Sequence, residues 1–376
     1  MGVQVQAGST LPLLPVEERP AGLQPAIRKP KKKLVRKRLR DHSQQLRHGF
    51  QVAFLVLNVW LGGQFYFWVR QFEAPATQIS IGRPAGVEGW LPIAGMMNLK
   101  DWLVTGRIPS IHPAAMFLLL AFLSVAFLFR KAFCSWLCPV GTVSEYLWRA
   151  GRKMFGRNFR IPRWLDVPVR GLKYLLLGFF VWAVAGMSAE AIESFMHSSY
   201  GLIAAVKMLD FFRFMSLTGL VVMAVLVAAS LIIENFWCRY LCPYGALLGL
   251  VSLASPHRIR RDAEACIDCT KCARACPSSL PVDRLASVRS AECTGCMACV
   301  AACPAEGALT MSLPRMLEFK RKRKGLSAWA MAAGIALLFL GLAGFAKVTG
   351  HWNSPVPDSV YHQLIPNANS VAHPMP

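Results

Sequence analysis

Five stretches of this chain cannot rest in water. Residues 50–69, 113–129, 171–187, 216–233 and 328–346 are near-continuous apolar runs with few charges. Runs of that length read as helices that cross a bilayer, because a helix satisfies its backbone hydrogen bonds within one segment. The first run is not a cleaved leader: it starts late, behind a long basic arm, and lacks a small-residue cleavage site. A net charge of +22 accompanies this apolar content. Soluble globular proteins hardly combine the two, whereas a polytopic membrane protein with basic loops does. The basic blocks at 28–47 and 321–324 each lie just before an apolar run, where topology requires them, so no nucleic-acid partner is expected.

Lysine and arginine asymmetry sets the orientation. Segment 130–173 carries ten Lys/Arg against Glu145 and Asp166, while 190–213 holds only Lys207 and Arg213 and the tail beyond Lys347 holds none. The expectation is a bacterial cytoplasmic (inner) membrane protein. Its N-terminus, the 130–173 loop and the 234–326 region are cytoplasmic. The 70–112 loop, the 188–215 loop and the tail are extracytoplasmic.

All twelve cysteines fall in four tight groups, each ending in Cys-Pro. Scattered disulfides would not look like this; metal thiolates in a reducing compartment would. Residues 266–304 contain C-x2-C-x2-C-x3-C-P twice. In that spacing three thiolates on a tight turn hold one face of a 4Fe–4S cube, and the fourth cysteine ligates the other cube. The expected ligands are Cys266, Cys269, Cys272 and Cys303 for cluster 1, and Cys293, Cys296, Cys299 and Cys276 for cluster 2. Such a module moves single electrons.

Two further pairs occupy matching places. FCSWLCPVG at 133 and WCRYLCPYG at 237 each follow an apolar run, with Cys134 and Cys238 separated by 104 residues. Span, outer loop, span and C-x3-C-P therefore occur twice in the same sense, which predicts two parallel repeats about an axis along the membrane normal. Cysteines four apart share a helix face, and Pro139 and Pro243 suit the first turn of a new helix. If Cys134, Cys138, Cys238 and Cys242 converge, they could hold a third cluster, zinc or copper(I); otherwise they pack as small apolar residues. The segment SEYLWRAGRKMFGR from Ser144 has a basic face suited to membrane lipids.

The predicted architecture is mainly α: a polytopic membrane protein of about five transmembrane helices in two parallel repeats, with an inserted bacterial-type α+β ferredoxin. Its parts are a basic, largely disordered arm (1–48), repeat 1 (49–150), repeat 2 (151–256), the ferredoxin (257–314), a basic linker with the fifth helix (315–350) and the outer tail (351–376). Quinol is the electron donor that suits such a platform. Its contacts are sought at Glu88, His112 and His197, titratable residues placed in the outer loops. None of the five runs contains a histidine, so no intramembrane haem is expected. C-x-x-C-H, GxGxxG and Walker motifs are missing as well, so neither c-type haem nor nucleotide is expected.

The paired C-x3-C-P motifs, the eight-cysteine module, the stretch RPAGVEGWLPIAGMMNLKDWLVTGRIPSIHPAA (83–115) and the tail SPVPDSVYHQLIP resemble the membrane polyferredoxins of the NapH/NosR type. The resemblance covers about residues 45–370 and leaves out the N-terminal forty. It implies electron flow from the quinone pool to a redox partner protein. Two rival functions remain: a metal-handling or assembly factor whose C-x3-C-P thiols bind and reduce a metal such as copper, and an anchor that docks soluble redox subunits. No catalytic constellation for a substrate is visible.

Overall fold

The computed structural model describes Val35 and residues 41–73, 81–159, 161–314 and 325–374. Most of the basic arm and the block at 321–324 lie outside the described residues. Each of the five apolar runs is helical. Helix α1 (Ser43–Glu73) begins seven residues before the expected span, so Arg47 belongs to the bundle. A 3-10 turn (Ala85–Trp90) leads to α2 (Pro92–Thr105) and α3 (Pro113–Phe129). The short α4 (Phe133–Trp136) and the amphipathic α5 (Pro139–Phe155) follow. The second half has α6 (Arg163–Gly186), the short helices α7 (Ala189–His197) and α8 (Ser199–Leu202), α9 (Ala204–Arg213), α10 (Leu217–Ile232), a π turn (Trp237–Leu241) and α11 (Pro243–Leu253).

Among the described residues α1, α6 and α14 (Ala328–Val348) are long and apolar enough to cross a membrane. The pair α9–α10 qualifies only as one unit bent by 82°. The expectation of about five spans thus meets two short helices, α3 with 17 residues and α10 with 16. Their ends are marked in the backbone. His112 (φ 54°) and Arg130 (φ 63°) adopt positive φ at the two ends of α3, and Pro113 fixes its first turn. Ser216 caps α10, its Oγ accepting from Gly219 N–H at 3.1 Å.

The two halves differ in burial. Helix α3 is buried along most of its length and is the central post of the bundle. In α10 only Ser230 is buried, and Leu217, Leu220 and Val225 are exposed. Exposed apolar side chains recur on α1, α6 and α14 (Val59, Leu175, Leu337), the pattern of a lipid-facing surface.

The ferredoxin enters on β1 (Arg258–Arg261) and leaves on β2 (Leu309–Ser312), paired antiparallel from Arg258↔Ser312 to Arg261↔Leu309. Between them lie the one-turn helices α12 (Lys271–Arg274) and α13 (Ala298–Ala302). Its apolar residues Ile259, Val282 and Met297 join the same core as Phe122, Phe129 and Trp136 of the helices, so module and bundle are fused. At the opposite end α15 (Asp358–Leu364) returns to α1, with the Tyr361 and Trp68 rings 4.9 Å apart.

Candidate redox centre

The C-x3-C-P-x-G motif is a helix start built around sulfur. Cys138 and Cys242 are the N-cap residues of α5 and α11, with extended backbone, and the prolines occupy the first turn. Gly141 N–H donates to Cys138 Sγ at 3.5 Å, and Gly245 N–H to Cys242 Sγ at 3.2 Å. The two cysteines of a pair do not share one helix, as i,i+4 spacing suggested: Cys134 lies in α4, Cys238 in the π turn, and the chain breaks before each second cysteine. Glycine is required at position 141, because a Cβ there would overlap the Cys134 carbonyl oxygen. Helix N-termini favour anionic sulfur. Burial nevertheless pushes the Cys138 thiol up to about 11, against the pull of the Gly141 amide.

The repeats bring the four sulfurs together. Cys238 lies within electrostatic reach of Cys242, Cys138 and Cys134. All four line one cavity of about 950 Å³. Its wall includes one stripe of α1 (Phe54, Leu57, Leu61), as well as Phe122 of α3 and Phe339 of α14. One end reaches Arg83, Trp90 and Trp352; the other reaches Cys276 and Cys296 of the ferredoxin. Among the described residues no three His, Cys, Asp or Glu side chains stand close enough to hold a single metal ion. A tetrahedral zinc site would draw sulfurs to roughly 3.8 Å of one another. Four sulfurs around a shared space suit a larger polynuclear group better than a lone ion.

The two ferredoxin loops repeat each other in backbone as well as in cysteines. Two residues after the first cysteine stand Asp268 (φ 54°) and Gly295 (φ 62°), and four after it Thr270 (φ 59°) and Met297 (φ 56°). Left-handed residues spaced this way turn backbone N–H groups toward one concave side, the nest that cradles anionic clusters. Cys276 N-terminal to Pro277 lies in reach of Cys296 and Cys293, and Cys272 in reach of Cys303. A crossed donor set of four thiolates over such a nest fits an iron–sulfur cube.

Loop 2 is bolted to the bundle. Ser135 Oγ donates to the Thr294 carbonyl (2.7 Å), Trp136 Nε1 to that of Gly295 (3.4 Å) and Gln44 Nε2 to that of Cys296 (2.9 Å). Beneath them Arg47 and Gln51 donate to Glu145 and to the Ser135 carbonyl. Burial raises the Glu145 carboxyl, but hydrogen bonds and charge from Arg47 prevail and hold it at about 2. Cys276, Cys293 and Cys299 are buried, whereas Cys296 and all four of Cys266, Cys269, Cys272 and Cys303 are partly exposed.

The outer-loop residues sought as quinone contacts sit elsewhere. Glu88 and His112 are fully buried and bind each other (3.0 Å), Arg83 reaches Glu88 at 3.0 Å, and His112 Nε2 lies 2.8 Å from the Gly201 carbonyl. Burial raises the Glu88 carboxyl, yet His112 and Arg83 bring it below its ordinary range. This triad ties the loop between α1 and α3 to α8. Neither residue lines the cavity, nor does the exposed His197, whose Nδ1 lies 2.9 Å from the Glu193 carbonyl. Sequence reasoning missed Lys131, Lys173 and Glu292, which meet behind the thiols. Its one signal was a break in the repeat, since the place of Lys131 is taken by Asn235 in the second half.

Comparison with known proteins agrees with this layout. A family model described as a 4Fe-4S binding domain matches twice, at residues 111–162 and 215–261, and a 4Fe-4S dicluster domain matches 258–304. YccM of Escherichia coli (strain K12), a candidate electron transport protein by name, is 52% identical over 87% of this chain and 91% of its own length. The chain belongs to the membrane polyferredoxins. The polyferredoxin is also 27% identical to the ferredoxin-type protein NapH of Haemophilus influenzae, over 58% of this chain and 77% of NapH. It is 30% identical to the regulatory protein NosR of Pseudomonas aeruginosa, over 39% of this chain but 20% of NosR. No solved structure matches. The polyferredoxin is a membrane-embedded iron–sulfur electron-transport protein.

Proposed function

We propose that this polyferredoxin takes electrons from quinol in the bundle cavity and passes them singly to a redox partner beyond the ferredoxin. The cavity carries the reading: one apolar space of about 950 Å³ runs from the loop at Trp90 to the four C-x3-C-P sulfurs and to Cys276 and Cys296. Its apolar α1 stripe suits an isoprenoid ring and tail, and Asn58, Arg83 and Lys347 supply polar contacts along it. Bound clusters, ligated as Cys266/269/272/303 and Cys293/296/299/276, supply reversible one-electron transfer. Cys134, Cys138, Cys238 and Cys242 form a further redox centre between cavity and cluster 2. The half-exposed first loop then faces the partner. On the lysine and arginine asymmetry, the ferredoxin side is cytoplasmic in a bacterial inner membrane.

Low-temperature EPR of membranes tests this. Added quinol is expected to reduce the clusters, and Leu57→Trp, which fills the cavity, to slow that reduction at least tenfold while dithionite still reduces them. Clusters that dithionite reduces and quinol never does would sink the reading.

A further inference from the structure

Behind the thiols two lysines share one carboxylate. Lys173 Nζ donates to Glu292 Oε1 at 2.6 Å, and Lys131 Nζ lies 4.0 Å from Glu292 Oε2. Lys173 is 0% exposed, Lys131 3% and Glu292 9%. The Tyr174 hydroxyl is 3.4 Å from Glu292 Oε1. Such burial costs several kcal/mol per uncompensated ion, so the second ammonium needs an anion facing it. The other charged groups nearby are engaged. Arg170 and Arg239 pair with Asp166, and Glu234, on the same cavity wall, accepts from Asn158. Lys131 itself faces the cavity and stands within electrostatic reach of Cys134 and Cys238.

We propose that Lys131 is the positioning charge of the C-x3-C-P centre. Its ammonium faces the cavity that the four sulfurs line and stabilises the more negative, reduced form of whatever they hold, while Glu292, shared with Lys173, offsets part of that charge. This rests on the reading of the four thiols as a redox centre. The arrangement links the membrane repeats to the ferredoxin, because Lys131 follows α3, Lys173 belongs to α6 and Glu292 adjoins Cys293. A carboxylate on the second-cluster loop thereby senses the charge of the thiol centre.

The test is an anaerobic redox titration of the full-length protein in detergent, followed by EPR and by alkylation of each cysteine mapped by mass spectrometry. The event in question is the one lost in a Cys138→Ser/Cys242→Ser variant. Lys131→Met is expected to move it to a more negative potential, Lys131→Arg to restore it, and Glu292→Gln to move it to a more positive one. The cluster 1 signal should stay in place in all three. A purely structural role would not give opposite signs for Lys131→Met and Glu292→Gln. An event unmoved by Lys131→Met, or moved equally by Lys131→Arg, overturns the proposal. If the double serine variant loses no redox event, the thiol-centre reading falls, and the proposal falls with it.

Discussion

The two cysteine loops of the ferredoxin share spacing and left-handed residues, yet one is embedded and the other is open. Loop 2 leans on α4 and α1 through the carbonyls of Thr294, Gly295 and Cys296. In loop 1 Asp268 and Thr270 are exposed, and Asp268 meets Arg261 (3.3 Å) and the Cys266 sulfur (3.6 Å). Loop backbone is therefore set locally, by cysteine spacing and left-handed residues, whereas exposure is set by what each loop rests on. On the proposed electron path the embedded loop is the entry side and the open loop the exit side.

Breaking each loop in turn should give the largest contrast. With quinol as donor, Cys296→Ser is expected to abolish EPR-detected reduction of both clusters, and Cys269→Ser to leave a reducible cluster 2. Equal losses would remove the distinction between entry and exit. Next in size is the platform under loop 2. Arg47→Met removes the paired hydrogen bonds to the half-buried Glu145 carboxylate but leaves it Arg149 (2.6 Å) and Gln51 (2.8 Å), and should cost about 1.5–3 kcal/mol in thermal unfolding of the detergent-solubilised protein.

The same pair sets an acid limit. The Glu145 carboxyl is held at about 2 in the fold against an ordinary 4.5. A depressed carboxyl stabilises fully above its unfolded value and loses that stabilisation as pH falls from about 4.5 to about 2. The loss is on the order of 3 kcal/mol, and Arg47→Met should flatten this part of the stability profile.

Smaller effects sharpen the contrast within the loops. Gly295 has φ 62°, and a Cβ there would lie 2.8 Å from the Phe129 carbonyl oxygen. Gly295→Ala should cost about 2–3 kcal/mol and release iron from cluster 2 first. The matching Asp268→Gly relieves a left-handed residue in open surroundings and should stay within about 1 kcal/mol of wild type. Iron release and unfolding curves would separate the two.

Much of this was legible in the sequence where chemistry repeats along the chain. Eight cysteines at fixed spacing announced the ferredoxin, and five apolar runs announced helices, because both signals are local. The starts of α5 and α11 were legible in Cys-Pro for the same reason. The brevity of α3 was not, since left-handed turns at His112 and Arg130 depend on contacts to Glu88, Gly201 and Ser252 from distant segments. Nor was the 82° bend between α9 and α10, or the meeting of Lys131 with Glu292, 161 residues further on. Titratable outer-loop residues drew attention to Glu88 and His112 by type alone, whereas their burial gives them to each other.

The pairing of β1 with β2 has one more consequence. Because Arg258 and Ser312 are cross-strand partners, the chain departs for the ferredoxin and comes home at nearly the same point. The module is an insertion between α11 and α14 whose two ends leave the bundle side by side, so it can be held against the helices along its length without rethreading any of them.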